Sequence, residues 1–195
     1  MRFESGTIEE SQRGLGPETA NAIKMAKMFA ESYTEVFQIM GGSGKFSIAP
    51  SFYVIPGAQT RHRVSSLLDF TGGINGFVII NYPDEAAVDV VSTFMQRMGL
   101  PPEDCPKTVS EEVVNTLGEI INQVLGKFRK NIQDRYGLTA ESGTPITMMV
   151  NTMLRLTPVG IDENYYVRGQ ISTPSSKAFF IEFCVQQGII AKLKE

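Results

Sequence analysis

Glu119 and Asn122 stand three residues apart in the run Gly118-Glu119-Ile120-Ile121-Asn122-Gln123-Val124-Leu125-Gly126. If that run is helical, a carboxylate and a carboxamide are offered together, one turn apart. An acid can pair with a partner's cation, and an amide both donates and accepts hydrogen bonds. Side by side on a surface, they suit docking on another molecule and holding a water against it.

The surrounding pattern supports a helix. At about 100° per residue, Leu117, Ile121, Val124 and Phe128 cluster on one side. Relative to Glu119, residue 112 falls at about +20°, 126 at about −20°, 115 at about −40° and 122 at about −60°. Glu112, Asn115, Glu119, Asn122 and Gly126 therefore form a narrow stripe turned away from the apolar side. Gly118 and Gly126 each cost about 1 kcal/mol relative to alanine inside a helix. Such a helix needs bare backbone at those points, either for a close internal neighbour or for a docking partner. The ordinary reading of the pattern is a solvated outer face with glycines that serve packing.

The elements that must hold this turn can be read on either side of it. Pro17-Glu18-Thr19 opens a first helical pattern running through Ile23, Met28 or Phe29, Tyr33, Val36 or Phe37 and Met40, which Gly41-Gly42-Ser43-Gly44 ends. Extended stretches follow at about 45–56, 60–70 and 74–82. Asp84 is placed as the cap of a second helix that ends at Gly99 and Pro101-Pro102. Thr108-Val109-Ser110-Glu111 fits a capping box for the third helix, expected to run to about Gln133. Stretches at about 145–157, 164–172 and 177–186 again read as strands. The order is a long helix and three strands, used twice. Superposing Glu31 on Glu119 also places Val36 on Val124. The expectation is an α+β sandwich: a mainly antiparallel six-stranded sheet with two long helices on one face. Residues 1–16 read as a loose polar arm and 17–195 as a single domain.

Composition narrows the class. The 195 residues are 42% hydrophobic and 20% charged, with a net charge of −3. That balance argues against nucleic acid or an anionic membrane as partner, since both require a basic surface. Cys105 and Cys184 are far apart. They suggest neither a zinc site nor a disulfide framework, and a reduced cytoplasmic setting is expected. No apolar run reaches the length of a membrane span, and the first residues lack the apolar core of a signal peptide.

Gly118-Glu119-x-x-Asn122-x-x-x-Gly126 resembles the signature helix of the CheC/CheX/FliY family of chemotaxis phosphatases, which carry a Glu-x-x-Asn motif on a long surface helix. The segment Gly73-Ile74-Asn75-Gly76-Phe77-Val78-Ile79-Ile80-Asn81-Tyr82-Pro83-Asp84-Glu85-Ala86-Ala87 is similar to that family's middle strand and following helix. The similarity in order spans roughly 17–187 and is strongest toward CheX-like, single-site members. It implies dephosphorylation of a response regulator's phospho-aspartate. Asn122 would position the attacking water and Glu119 would pair with the receiver's lysine. Asn115, Gly118 and Gly126 would border the contact. The magnesium that the reaction needs is expected on the receiver, and none on this chain. A two-site member would carry a second Glu-x-x-Asn in the first helix, but here the run is Glu31-Ser32-Tyr33-Thr34. Threonine has no amide, so no site is assigned there.

Two alternatives stay open. One is a non-catalytic adaptor of the same fold that binds a receiver or a flagellar-switch component. The other is a structural subunit whose stripe is buried in a homodimer. Other signals are set aside. Gly41-Gly42-Ser43-Gly44-Lys45 departs from a phosphate loop at Ile39 and Phe46, and follows a helix rather than a strand. His62, the sole histidine, is expected to be exposed near the start of a strand. Met148, Met149 and Met153 read as core-filling residues, and Cys105 has no basic neighbour.

Overall fold

The computed structural model describes residues 16–156 and 164–186. Three α-helices lie among them: α1 (Pro17–Ile39), α2 (Asp84–Arg97) and α3 (Glu111–Tyr136). Ten strands accompany them. The long ones are β4 (Val64–Gly72), β5 (Gly76–Tyr82), β9 (Asn164–Ser172) and β10 (Ala178–Gln186). The short ones are β1 (Ser47–Ile48), β2 (Tyr53–Val54), β3 (Ala58–Gln59), β6 (Ala140–Glu141), β7 (Ile146–Met149) and β8 (Arg155–Leu156). All their pairings are antiparallel. The α+β architecture and the antiparallel sheet are as the residue pattern implied.

The pairing of the halves differs from two self-contained meanders. The main sheet runs β1-β9-β10-β5-β4-β6, with β2 also on β9 and β7 also on β4. The first strands of each half therefore cross over: β1 and β2 border the second half's β9, and β7 borders the first half's β4. The expected strand at 45–56 is broken into β1 and β2 around Pro50, which has no N–H to give a ladder. The one at 145–157 reduces to β7 and β8, with residue 157 outside the described residues. The expected arm, apart from Gly16, also lies outside them.

One face of the sheet carries the core. Val78, Ile80 and Tyr82 of β5 alternate with residues of the other face, as do Phe179, Ile181, Phe183 and Val185 of β10; all seven are fully buried. They meet α1 and α3 through an aromatic set. Phe29 of α1 packs edge-on to Phe128 of α3 at 5.2 Å, and Phe128 reaches Phe70 at 5.9 Å and Phe183 at 5.9 Å. Rings in this arrangement each add roughly 1 kcal/mol beyond the area that they bury.

The opposite face is smaller and more polar. Glu182 of β10 is fully buried there, with Arg61 at 2.9 Å, Arg168 at 2.5 Å and the Gln59 N–H donating to it at 2.7 Å. Asn81 accepts from the Arg61 N–H at 2.8 Å and donates to the Gln59 carbonyl at 3.0 Å. These bonds fasten the 59–61 segment across the sheet. His62, expected to be exposed, is half-buried and stacks on Phe180 at 6.0 Å. Burial, followed by the Arg61 charge, lowers its pKa against the opposing pull of Asp84. Met149 and Met153 are exposed rather than core-filling, whereas Met25 and Met28 of α1 are buried.

Candidate functional site

Helix α3 begins two residues later than the capping-box reading placed it. Ser110 takes an extended conformation (φ −140°, ψ 174°), and its hydroxyl accepts the Val113 N–H at 3.4 Å. That bond satisfies one of the open N–H groups of the first turn, so Ser110 rather than Thr108 is the cap. Similarly, Pro83 caps α2, with Asp84 as its first helical residue and no side-chain cap bond. The helix α3 extends to Tyr136 and stops at Gly137, whose φ of 66° is left-handed.

Its buried positions are Val113, Leu117, Ile120, Ile121, Val124, Leu125, Phe128, Asn131 and Ile132. That apolar side lies on β4, β6, β7 and α1. The stripe opposite is open: Glu112, Asn115, Glu119, Asn122 and Gly126 are all exposed, and Gly118 is half-buried at its edge. Neither Glu119 nor Asn122 has a hydrogen-bond or ion-pair partner among the described residues. Both polar groups are thus presented to solvent without an internal task.

The two glycines differ. At Gly118 an added Cβ would meet only the Thr147 hydroxyl, at 3.7 Å, an ordinary contact. That hydroxyl is shared with Ser66 at 2.8 Å, so the neighbour is an anchored part of β7 and β4. At Gly126 a Cβ would meet nothing within 4 Å among the described residues. No internal neighbour there explains the cost of a glycine in mid-helix. The bare backbone at Gly126 is available to an approaching surface.

Two further residues extend the stripe. Gln123 lies at about +40° and Lys130 at about +20° from Glu119 by the same helical arithmetic, and both are exposed. Lys130 makes no ion pair among the described residues. The stripe thus carries acids in its N-terminal half and a cation beyond Gly126, with about 27 Å between Glu112 and Lys130 at 1.5 Å per residue. The sequence contained this signal in full; continuing the angular count past Gly126 retrieves it.

The matching turn of α1 is arranged otherwise. Ser32 and Tyr33 are fully buried and Thr34 is buried. The Thr34 hydroxyl donates to the Glu31 carbonyl at 2.9 Å, and the Glu31 carboxylate meets Arg135 of α3 at 3.1 Å. One turn on, Glu35 accepts from Asn131 at 3.1 Å and pairs with Lys127 at 3.1 Å, while Asn131 also donates to the Ser32 hydroxyl at 2.9 Å. Burial pushes the Glu35 pKa up, but the Asn131 amide and the Lys127 charge bring it below the usual carboxylate value. The polar groups of this turn serve the contact between the two helices.

Cys105 is buried, its thiol facing the Ser92 and Pro101 carbonyls at 3.8 and 3.6 Å. Burial pushes the Cys184 thiol up to about 12. No helix among the described residues is long and apolar enough to cross a membrane.

Solved structures share this architecture. CheX from Desulfovibrio desulfuricans aligns with a TM-score of 0.66 at 21% identity, covering 84% of this chain and 99% of that one. FliY from Thermotoga maritima aligns at 0.63 and 16% identity, covering 92% and 96%. A CheX–CheY–BeF3–Mg2+ complex from Borrelia burgdorferi aligns at 0.54 and 21% identity, covering 83% and 97%. No curated protein matches the chain. At these identities the likeness establishes the fold. A family model described as "Protein of unknown function (DUF3334)" matches residues 25–195. The chain therefore belongs to the DUF3334 family, and its α+β fold is the one seen in CheX and FliY.

Proposed function

We propose that this protein is a phosphatase for the phospho-aspartate of a response-regulator receiver domain in chemotaxis or another two-component pathway. The observation that carries the reading is the solvent-facing turn of α3. Glu119 and Asn122 are exposed and unpaired there, and Gly126 leaves the backbone open one turn further on. An acyl phosphate held by a receiver has its magnesium and lysine in place. The helper's remaining task is to align a water with the phosphorus. Asn122 would hold that water by accepting and donating at once. Glu119 would pair with the receiver's lysine and set the register. Asn115, Gly118 and Gly126 would border the contact. The fold likeness to a CheX solved together with CheY supports a receiver as the partner.

The test is phosphate decay from an acetyl-phosphate-charged receiver of the same genome, with wild type, Asn122→Ala and Glu119→Ala. Stimulated decay that disappears in Asn122→Ala supports the reading; equal decay with wild type and variant would falsify it. The fold likeness to FliM, solved in complex with FliG from H. pylori, favours a second reading, a non-catalytic adaptor that docks through the same stripe. In that case the charged receiver binds and keeps its phosphate.

A further inference from the structure

At the C-terminal end of α1, away from the α3 stripe, the chain makes a tight glycine turn. Gly41, Gly42 and Gly44 have φ values of 77°, 88° and 78°, a left-handed conformation that side chains rarely adopt. Two of these glycines also admit close neighbours. A Cβ on Gly42 would stand 3.0 Å from Cγ of Arg97, and one on Gly44 would stand 2.7 Å from Cβ of Pro174. The turn thus brings its backbone flat against the Arg97 side chain.

A cavity of about 310 Å³ opens there, between α1, the turn and Arg97. Among the described residues its charged lining consists of Lys45 and Arg97, with Thr34 and Gln38 as polar neighbours and no carboxylate. Neither cation has an ion-pair partner among the described residues. Arg97 donates to the Phe37 carbonyl and, at 2.9 Å, to the Gly44 carbonyl, while its Nε is buried without an acceptor. Capping the end of α1 offsets roughly half of one positive charge, the size of the helix dipole. Lys45 and the remainder of Arg97 stay uncompensated. The Gly42 and Ser43 N–H groups also donate to no described residue.

We propose that this cavity binds a small organic phosphate. Two cations without an ion-pair partner among the described residues, a bare backbone with the free Gly42 donor and neutral polar groups make a set that recognises a dianion. The volume lies at the lower end of ligand-sized pockets and exceeds the needs of a free inorganic anion. The site is unlike a P-loop: it lies after a helix, and its second cation comes from α2. It is independent of Glu119 and Asn122.

The experiment is an amide-resolved NMR titration of the full chain with AMP, pyrophosphate and inorganic phosphate, using sodium chloride at matched ionic strength as control. AMP is expected to saturate with a Kd near or below about 1 mM and to shift the Gly41, Gly42 and Gly44 amides. Lys45→Glu, at an exposed position that leaves Arg97 in place, should weaken binding by roughly tenfold or more. Asn122→Ala should bind as wild type does. Saturation by inorganic phosphate alone overturns the organic part of the assignment. No saturable shift with any probe, or equal binding by Lys45→Glu, overturns the site itself.

Discussion

Two turns of the same protein, Glu119–Asn122 on α3 and Glu31–Thr34 on α1, begin with the same acid inside a long helix. On α3 the acid and the amide are exposed and unpaired, and the helix beyond them is bare at Gly126. On α1 the acid is tied to Arg135 and the threonine is buried against its own backbone. The contrast shows that a Glu-x-x-polar pattern alone does not leave a turn open. What distinguishes the two is whether neighbouring helices have already claimed the polar groups.

The largest effect expected from breaking this contrast is on the α3 side. Asn122→Ala should reduce stimulated phosphate release by about 100-fold, the scale of losing a positioning group. Circular dichroism should be unchanged and the melting temperature should not fall, because the exposed side chain makes no hydrogen bond among the described residues and alanine is the better helix former. A variant that melts early would show that Asn122 holds the fold together. On the α1 side the reverse holds. Asn131→Ala removes the donor to the buried Ser32 hydroxyl and one of the two donors to Glu35, which keeps Lys127, and should cost about 1–2 kcal/mol in denaturant unfolding. Activity per folded molecule should survive it.

Smaller effects sharpen the comparison further. Gly126→Ala should raise stability by about 0.5–1 kcal/mol, since a methyl there meets nothing and removes a helix-weakening glycine. If urea midpoints fall instead, the space at Gly126 is not open in solution. The same variant should weaken receiver docking. Thr34→Asn should create no second site, because position 34 is buried. Any gain in phosphate release from the Asn122→Ala/Thr34→Asn double variant would contradict that. Finally, Glu35 has a lowered folded-state pKa. It contributes stability above its unfolded value, about 4.3, which is lost as acid titrates it through the lower folded value. Glu35→Gln should flatten the acid limb of the stability–pH curve within that window.

Much of the site was legible because helical periodicity is strong in α3. Its apolar side and its polar stripe were separated by angle alone, and both fell where the structure has them. The caps were less legible. Thr108 and Ser110 are chemically alike, and only the backbone conformation decides which hydroxyl meets an open N–H. The crossing of β1, β2 and β7 to the opposite half was not legible at all. Edge pairing of two- to four-residue strands depends on what the long strands leave free, and local pattern does not encode that. The exposure of Met149 and Met153 escapes the pattern for the same reason: Met149 ends the short β7 and Met153 lies between β7 and β8.

The pairing of the long strands β5 and β10 across the two halves bears on how the chain comes to be. The central ladder joins Asn81 to Phe180 and Ile79 to Glu182, so an emerging polypeptide carries β5 with an unfilled side until β10 is made. Sheets that wait for remote partners assemble slowly and attract wrong ones. A cell making this protein therefore has reason to shield the nascent first half, and cutting the chain between its halves should yield two insoluble fragments rather than two smaller working ones.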